Sequence, residues 1–509
     1  MTSNMISDKK PNYTIHLLVS LLLTLIVLFL HKDHYWSPYV TTQDWVGSAY
    51  AHGCAIANEI GLKKNPFMIH DVDFVHHRIH EYTHWPNGHF FIFYLIIKLF
   101  GNTEMVGRSF AVALNVIAII LMVFAFRDKR GLLFYAVPML LLTPIARDAI
   151  PYVFIEPSFH FWIGFAALSV SFVETSEGLR LSRILFRTSL ILAPFFAHLM
   201  LPFLLLGAIT RFLFHKNKKE LIIDVIILFG VYCCVFLALA WSEKGLYEGG
   251  KDLFLQFLHR SNIEMRFEEE TQISVVRLAD IFIYKLKHNL LVFWYLLPLA
   301  WIFCFIHRKS IAFLLPAAVI NILIMANYVG PHVFAQYNLI MISFVTVFFF
   351  VAYLLNVLTE SITCGLSPET KSNNSRNNYN IIFKIAIFIS VSIFACYEVR
   401  IQTTSYRVEP DIVNLRNTFN SLKTEIENSE CNCFDRISLQ NGSLIRYNGR
   451  TISLYGQLFL GEKVLASIKR NETALCGGIN LEERTLLCDR RGLDSIPYEK
   501  FVPGQKAFQ

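Results

Sequence analysis

Long apolar runs recur from Ile15 to about residue 397, and they constrain the fold more than any other feature. A transmembrane helix needs about 20 consecutive, mostly apolar residues. Runs near that length cover residues 15–30, 108–126, 132–147, 153–172, 187–198, 199–214, 220–241, 288–306, 310–328, 336–356 and 381–397. Since 54% of the residues are hydrophobic and only 17% are charged, against about 25% in soluble domains, the sequence predicts an all-α, polytopic membrane protein with about eleven transmembrane helices.

The first run, residues 15–30, is predicted to be a retained signal-anchor helix. It follows the polar segment MTSNMISDKK, and the segment HKDHYWSPYV after it has no small-residue cleavage site, which argues against a cleaved signal peptide. We therefore expect a cytoplasmic N-terminus. An odd number of spans then places the C-terminus on the extracytoplasmic side.

Basic residues are concentrated in alternate loops between the runs. They are Arg127, Lys129, Arg130, Arg180, Arg183, Arg187, Arg211, Lys216, Lys218, Lys219, His307, Arg308, Lys309, Lys371 and Arg376. Positively charged loops face the cytoplasm, so the net charge of +7 does not indicate a nucleic-acid partner. Runs 187–198 and 199–214 fit either a single kinked span or a short hairpin, because prolines interrupt them.

Two long segments are predicted on the extracytoplasmic side. The first is the loop 32–107, called the first loop below, and loops of this length are commonly functional. The second is the tail 398–509, where short apolar runs alternate with turn sequences such as YNGR, so we expect a small α/β domain there and a transmembrane domain over 1–397. Four cysteines in the tail are candidates for disulfides: Cys431, Cys433, Cys476 and Cys488.

The tract YTHWPNGHFFIFYLIIKLFGNTEMVGR in the first loop has an aromatic-His-x-Pro start, an amphipathic helix, a glycine turn and an acid-to-arginine spacing. These positions are Tyr82, His84, Pro86, Gly101, Glu104 and Arg108. Their order resembles the first external loop of the GT-C integral-membrane glycosyltransferases, which include protein O-mannosyltransferases and lipid A aminoarabinose transferases. Trp85 stands where the family has its first proline. The resemblance covers about residues 10–355 and includes the tracts LLTPIARDAIPYVFIEPSFHFWIGFAAL and GPHVFAQYNLIMI.

The same resemblance extends back to TTQDWVGSAYAHG, where relatives carry an acid soon after the first span. Asp44 fits that position, and the resemblance implies that it is the catalytic base. A carboxylate at this place can instead cap a helix, and one residue can do both.

The resemblance implies a polyprenyl-phosphate sugar donor and a lipid, glycan or protein acceptor, with transfer at the membrane surface. Cationic groups there would hold the departing phosphate, because charge-assisted hydrogen bonds to its oxygens are strong. The candidate substrate-binding residues are Arg78, Tyr82, His84, Arg260, Arg277, Lys285, His332 and Tyr337. The alternative for His84 is an interfacial aromatic cluster with Trp85, and the alternative for Arg260, Arg277 and Lys285 is the solvated face of an amphipathic surface helix.

The segment HDVDFVHHRIHEYTH offers imidazole and carboxylate groups at helix-compatible intervals. These are His70, Asp71, Asp73, His76, His77 and His80. A divalent metal site, a solvated hydrogen-bonding face and acceptor recognition are all compatible with this pattern, and no other cofactor is indicated. Asp148 and Glu156 are predicted near the membrane surface, where an acid faces a cavity or pairs with a neighbour such as Arg147.

The resemblance therefore implies an inverting glycosyltransferase, which we expect in a bacterial inner membrane or plasma membrane. A transporter or flippase of a lipid-linked saccharide is the alternative, although the spans show no clear inverted repeat. A non-catalytic assembly subunit with a partner-binding tail is the third hypothesis.

Overall fold

The computed structural model describes a predominantly helical membrane protein. Its described residues are 13–39, 42–61, 65–73, 78–127, 131–143, 149–174, 178–241, 245–260, 275–324, 337–366, 410–428, 434–438, 477–480 and 485–487. The helices are α1 (Tyr13–Leu30), α2 (Lys32–Tyr35), α3 (Thr42–Gly61), α4 (Gly88–Phe100), α5 (Glu104–Phe126), α6 (Ala136–Leu141), α7 (Glu156–Ser171), α8 (Leu179–Leu192), α9 (Leu201–His215), α10 (Lys218–Ala240), α11 (Leu246–Arg260), α12 (Val275–Leu290), α13 (Leu297–His307), α14 (Leu314–Ile324), α15 (Tyr337–Leu366) and α16 (Pro410–Asn428). The strands are β1 (Met68–Asp73), β2 (Arg78–Pro86), β3 (Phe434–Ser438), β4 (Gly477–Asn480) and β5 (Thr485–Leu487).

Four segments within the described residues are long and apolar enough to cross a membrane. They are Glu104–Phe126, His198–His215, Lys218–Ala240 and Tyr337–Leu358. Shorter apolar helices cover Thr14–Leu30, Gly88–Phe100, Leu132–Leu141, Phe293–His307 and Leu314–Ile324. The predicted run 132–147 is thus shorter than expected, and the predicted span 381–397 lies outside the described residues.

Helices α5 and α7 pack closely at the centre of the bundle. Gly164 on α7 permits this approach, because a Cβ atom there would lie only 2.7 Å from the carbonyl oxygen of Ala118. Asn115 on α5 and His160 on α7 add a polar contact within the same interface, at 2.8 Å between Oδ1 and Nδ1. The close approach and the polar contact therefore fix how α5 and α7 lie against each other.

Helices α8 and α9 form an antiparallel hairpin, which resolves the ambiguity between runs 187–198 and 199–214. Arg187 in α8 and Arg211 near the end of α9 both pair with Asp224 in α10. These residues can meet only if the chain reverses between them. The reversal consists of the short 3-10 helices Ala193–Phe195 and His198–Met200.

One end of the bundle, called the basic end below, collects arginines from several predicted cytoplasmic loops. Arg308, after α13, pairs with Glu174 at 3.1 Å and donates to the carbonyl oxygen of Ala125, at the end of α5, at 2.6 Å. Arg127 lies 5.5 Å from the ring centroid of Phe172, just beyond α7. The network around Arg211 and Asp224, described above, lies at the start of α10 and belongs to the same end.

The opposite end, called the loop end below, carries the first loop. Strands β1 and β2 pair antiparallel, with Asp71 opposite His80 and His70 opposite Glu81. The helical interval proposed between His76 and His80 is therefore wrong for His80, which lies in a strand. His76 and His77 lie outside the described residues.

The described part of the tail consists of α16 and a three-stranded sheet. The strand order is β3-β4-β5, with β3 parallel to β4 and β4 antiparallel to β5. Helix α16 buries Phe419 and Leu422 in the main hydrophobic core, so this part of the tail is packed against the helical bundle. The four tail cysteines lie outside the described residues.

Candidate functional site in the first loop

Helix α3 carries Asp44, the predicted base, in its first turn. The helix begins at Thr42, so Asp44 is its third residue, where a carboxylate interacts favourably with the positive end of the helix dipole. The side chain of Asp44 lies outside the described residues. The described contacts of α3 and of the segment before it show how this turn is positioned.

Tyr39 joins the segment before α3 to the start of α5. Its backbone N–H donates to Oε1 of Glu104 at 3.1 Å, and its hydroxyl lies 3.2 Å from the carbonyl oxygen of Glu104 and 2.9 Å from Nε2 of His52. Nδ1 of His52 lies 2.8 Å from Oδ1 of Asn102. With the Asn102 oxygen as acceptor, Nδ1 carries the imidazole proton and Nε2 is an acceptor, so the single proton of the Tyr39 hydroxyl is shared between Nε2 and the carbonyl oxygen of Glu104. Tyr39, His52, Asn102 and Glu104 are called the Tyr39 junction below.

His52 is neutral at neutral pH because it is completely buried. Burial lowers its pKa to about 4, although the hydrogen bond to Asn102 and the charge of Glu104 act in the opposite direction, and the charge of Arg108 adds slightly to the lowering. A neutral imidazole can donate through one nitrogen and accept through the other. The junction therefore keeps its hydrogen-bond directions fixed across the physiological range.

Arg108 is fully buried and binds backbone carbonyls around the junction. Its Nε donates to Ser37 at 3.1 Å, its Nη1 to Pro151 at 2.9 Å and its Nη2 to Pro38 at 3.3 Å. The guanidinium also lies 4.7 Å from the ring centroid of Tyr39. Arg108 thus ties the segment that precedes α3 to the segment that precedes α7.

The local structure explains why Gly101, Glu104 and Gly107 occur in the tract that resembles the GT-C loop. Gly101 ends α4 at a φ of 92°, which other residues rarely adopt. Thr103 accepts from the N–H of Val106 and caps α5, so that Glu104 lies in the first turn. A Cβ atom on Gly107 would lie 2.2 Å from the Tyr39 hydroxyl and 2.7 Å from Nε2 of His52. The close contact between α5 and the Tyr39 junction therefore depends on glycine at this position.

The β1–β2 hairpin is fastened between α3 and α10. Asn58 of α3 and Asn87 exchange side-chain hydrogen bonds, and Asn87 also donates to the carbonyl oxygen of Pro66 at 3.0 Å. On the other side, the Asn65 amide donates to the carbonyl oxygens of Ala238 and Trp241, at 2.9 and 3.0 Å. Side-chain amides that are hydrogen-bonded in this way hold the segments that they join in one arrangement. The hairpin is therefore held against both α3 and α10.

Strand β2 carries three of the predicted substrate-binding residues, Arg78, Tyr82 and His84, whose side chains lie outside the described residues. The adjacent Trp85 is 1% exposed and stacks on His198 with ring centroids 4.5 Å apart. Trp85 thus packs against the α8–α9 hairpin, and the alternative of an interfacial aromatic cluster for His84 stays a prediction because that side chain is not described.

The other predicted substrate-binding residues are spread over α11, α12 and α15. Arg260 ends α11 and its side chain is not described, and His332 lies outside the described residues. Arg277 is exposed and Lys285 is half-buried on α12. Tyr337 is 2% exposed and packs with Ala149 and Ile340, so these contacts do not bring it to the Tyr39 junction. The amphipathic segment expected here consists of two separate helices in the described part of the chain.

A group of buried polar residues lies on α4, α5 and α7, and sequence reasoning had singled out only Glu156 among them. His89 contacts Ser158 at 2.8 Å, and Asn115, the partner of His160, donates to the carbonyl oxygen of Ile150 at 3.0 Å. Glu156 is 4% exposed, and one of its carboxyl oxygens has no hydrogen-bond partner within the described residues. These residues are polar side chains inside apolar runs of the sequence, and that pattern could have marked them as structurally or functionally important.

The predicted metal site is not assembled by the described residues. In that part of the chain, no group of three or more His, Cys, Asp or Glu side chains could hold an ion. Asp71, Asp73 and His80 lie in the β1–β2 hairpin with their side chains undescribed. The divalent metal remains a prediction.

Comparison with solved structures found similarity to two kinds of protein. ArnT from Cupriavidus metallidurans bound to undecaprenyl phosphate matches with a TM-score of 0.53 and 12% identity, covering 86% of this chain and 84% of that one. ArnT in the apo state gives a TM-score of 0.52 at 13% identity, covering 92% and 93%. The Archaeoglobus fulgidus oligosaccharyltransferase gives 0.49 at 11% identity, covering 83% of this chain and 59% of that chain.

No protein-family model and no curated protein matches the sequence. The structural similarity to ArnT therefore defines the fold, which is that of the GT-C glycosyltransferases.

Proposed function

We propose that this protein is a membrane glycosyltransferase that moves a sugar from a polyprenyl-phosphate donor to a lipid, glycan or protein acceptor on the extracytoplasmic face. The main support is the fold shared with ArnT, which was solved with undecaprenyl phosphate bound. The same fold, the resembling motifs of the first loop and the position of Asp44 in the first turn of α3 all favour the loop end as the reaction site.

In the proposed reaction, the carboxylate of Asp44 accepts the proton of the acceptor hydroxyl. The hydroxyl oxygen attacks the anomeric carbon of the sugar, and the bond between that carbon and the phosphate oxygen breaks with inversion. The electron pair leaves with polyprenyl phosphate, and Asp44 later returns its proton to solvent. General-base assistance of this kind contributes about 10²–10⁴-fold to the rate.

Cationic residues of the loop end would bind the phosphate that leaves. Arg78 and His84 are the candidates on β2, and Arg260, Arg277 and Lys285 are the candidates on α11 and α12. Tyr82 and His332 would contact the sugar or acceptor, whereas Tyr337 is 2% exposed and packs with Ala149 and Ile340. A divalent ion at the β1–β2 hairpin would add a further positive charge near the phosphate.

The proposed orientation places the loop end outside the cytoplasm and the basic end inside. The basic end collects Arg127, Arg211 and Arg308, and positively charged loops are retained on the cytoplasmic side. Helix α16 contacts the loop end through Arg416 and Glu104, which favours an extracytoplasmic tail. We expect residues 398–509 to form a small extracytoplasmic α/β domain.

The test compares Asp44→Asn with Asp33→Asn in membranes of the native host, which supply the natural acceptor. Asp33 lies in the same loop, on α2, and is exposed, so its substitution is a matched control. Mass spectrometry of the host glycolipids and glycoproteins, with release of undecaprenyl phosphate as the second readout, should show a loss of product of about 10²-fold or more for Asp44→Asn only. Undiminished turnover by Asp44→Asn would refute Asp44 as the base. Movement of a lipid-linked saccharide into sealed vesicles without a covalent product would identify a transporter instead.

A further inference from the structure

Helix α16 of the tail is docked at the loop end by an apolar face. Phe419 is fully buried and Leu422 is 1% exposed, and both belong to the main hydrophobic core. They lie three residues apart, and Arg416 lies a further three residues before Phe419, so all three share one face of the helix. The position of Arg416 is therefore fixed by the burial of its own helix.

Arg416 forms a two-pronged ion pair with Glu104. Its Nε lies 3.0 Å from both carboxylate oxygens, and its Nη2 lies 2.6 Å from Oε2. Paired donors on a planar guanidinium orient a carboxylate more strictly than a single charge does. The side chains are 22% and 13% exposed, so the pair is partly shielded from water.

The oriented carboxylate of Glu104 is also an acceptor for the Tyr39 backbone N–H, at 3.1 Å. The Tyr39 hydroxyl contacts His52, two turns along α3 from Asp44. Hydrogen bonds therefore connect Arg416 in the tail to Glu104 in the first turn of α5, and Glu104 to Tyr39. Tyr39 in turn contacts His52. Asp44 lies between Tyr39 and His52 in the sequence. Arg416 and Glu104 are separated by 312 positions in the sequence.

We propose that Arg416 is a positioning residue of the proposed transferase, which holds the start of α3 in its reactive place through Glu104 and Tyr39. The tail is thus a working part of the active site and not an independent appendage. This inference rests on the proposed role of Asp44. A displacement of about 1 Å at a reacting group can lower a rate by about 10²-fold, so a contact remote from the substrate can have a large effect on turnover.

The test uses the full-length protein in lipid nanodiscs and three variants of α16. Arg416→Gln removes the charge and both prongs, Arg416→Lys keeps the charge, and Lys423→Gln removes a charge from an exposed position of the same helix. Hydrogen exchange followed by mass spectrometry is measured on peptides of residues 42–52, with residues 156–171 of α7 as the internal reference. Product formation is measured as for Asp44→Asn.

We expect Arg416→Gln to increase exchange in residues 42–52 several-fold and to leave residues 156–171 unchanged. Turnover should fall about 10-fold or more, with the apparent KM for the lipid-linked donor within about two-fold, because the phosphate contacts are intact. Arg416→Lys should recover part of both effects, and Lys423→Gln should change neither.

Unchanged exchange in residues 42–52 for Arg416→Gln would overturn the inference. Increased exchange in both peptides would also overturn it, since that result indicates a general loss of stability. If Asp44→Asn is inactive while Arg416→Gln is fully active, the proposed function stands and the role of Arg416 is refuted. If Asp44→Asn is fully active, Asp44 is not the base, and the exchange measurement alone decides whether the tail positions α3.

Discussion

The two ends of the bundle use ion pairs for different purposes. At the basic end, Arg211 and Asp224 are each only 2% exposed, and Arg187 adds a second bond to Asp224 at 2.9 Å. At the loop end, Arg416 and Glu104 are partly exposed. The first network joins consecutive helices, whereas the second joins segments 312 positions apart.

The two ion pairs therefore differ in their main effect, which is on the stability of the fold for one and on the position of a neighbouring segment for the other. A buried pair leaves an uncompensated charge when one partner is removed, so breaking it is costly. Breaking a pair that is partly exposed, such as Arg416–Glu104, costs less stability than breaking a fully buried one, but the pair can still determine where its partner lies. We therefore expect a change in the Arg211–Asp224 pair to affect folding and a change in the Arg416–Glu104 pair to affect turnover.

The largest effect on stability is expected for Arg211→Met. This substitution leaves Asp224 buried beside Arg187 alone and should lower the free energy of unfolding by about 3–5 kcal/mol. Chemical unfolding in detergent micelles measures the change. The matched control is Arg183→Met, whose side chain is 47% exposed in its pair with Glu220 and whose loss should cost less than about 1 kcal/mol. Equal effects of the two variants would contradict the contrast between buried and exposed pairs.

A smaller effect is expected from acid, acting on His52 of the Tyr39 junction. Its pKa is lowered from 6.5 to about 4 in the folded state, so the unfolded chain binds more protons between those values. Stability contributed by this group should be complete above about pH 6.5 and should be lost as the pH falls towards 4, by up to about 3 kcal/mol.

The measurement is unfolding in detergent at several pH values, for the unaltered chain and for His52→Gln. The variant cannot titrate at this position, so its stability should change less between pH 6.5 and 4. The same slope in both proteins would show that other groups cause the acid sensitivity.

The smallest effect is expected for Lys98→Met on α4. Lys98 pairs with Glu59 of α3 at 3.0 Å, and the side chains are 47% and 32% exposed. The free energy of unfolding should change by less than about 0.5 kcal/mol, and turnover should stay within two-fold. A loss of turnover as large as that expected for Arg416→Gln would show that any tie to α3 matters, and that Arg416 is not special.

The sequence was sufficient to predict elements that depend on local patterns. The apolar run 108–126 corresponds to α5, and the tract before it predicted a helix, a glycine turn and an acid at the next helix start, as found at Gly101 and Glu104. The predicted helix was amphipathic, whereas α4 is apolar. The length of an apolar run and the capping of a helix end depend on residues that are close together in the sequence. Both can therefore be predicted from one sequence.

Features that depend on distant pairing were not predicted. The histidine-rich segment matched helical intervals, but its described part forms strands, whose pairing is decided by the partner strand and by burial. No sequence pattern near Arg416 or near Glu104 indicates that these two residues meet. The roles of Trp85 and His52 were missed for the same reason, since each depends on a side chain from another part of the chain.

The side chain of Asn65 bears on how the protein fits bilayers of different thickness. Helix α10 has 23 residues and is about 34 Å long, somewhat more than the roughly 30 Å of a hydrocarbon core. Because Asn65 satisfies the last carbonyls of α10 at the loop end, that terminus is held in place. A thinner membrane must therefore be accommodated at the other terminus, where Lys218 and Lys219 can extend to the headgroups. We therefore expect the geometry of the first loop to be independent of the lipid composition.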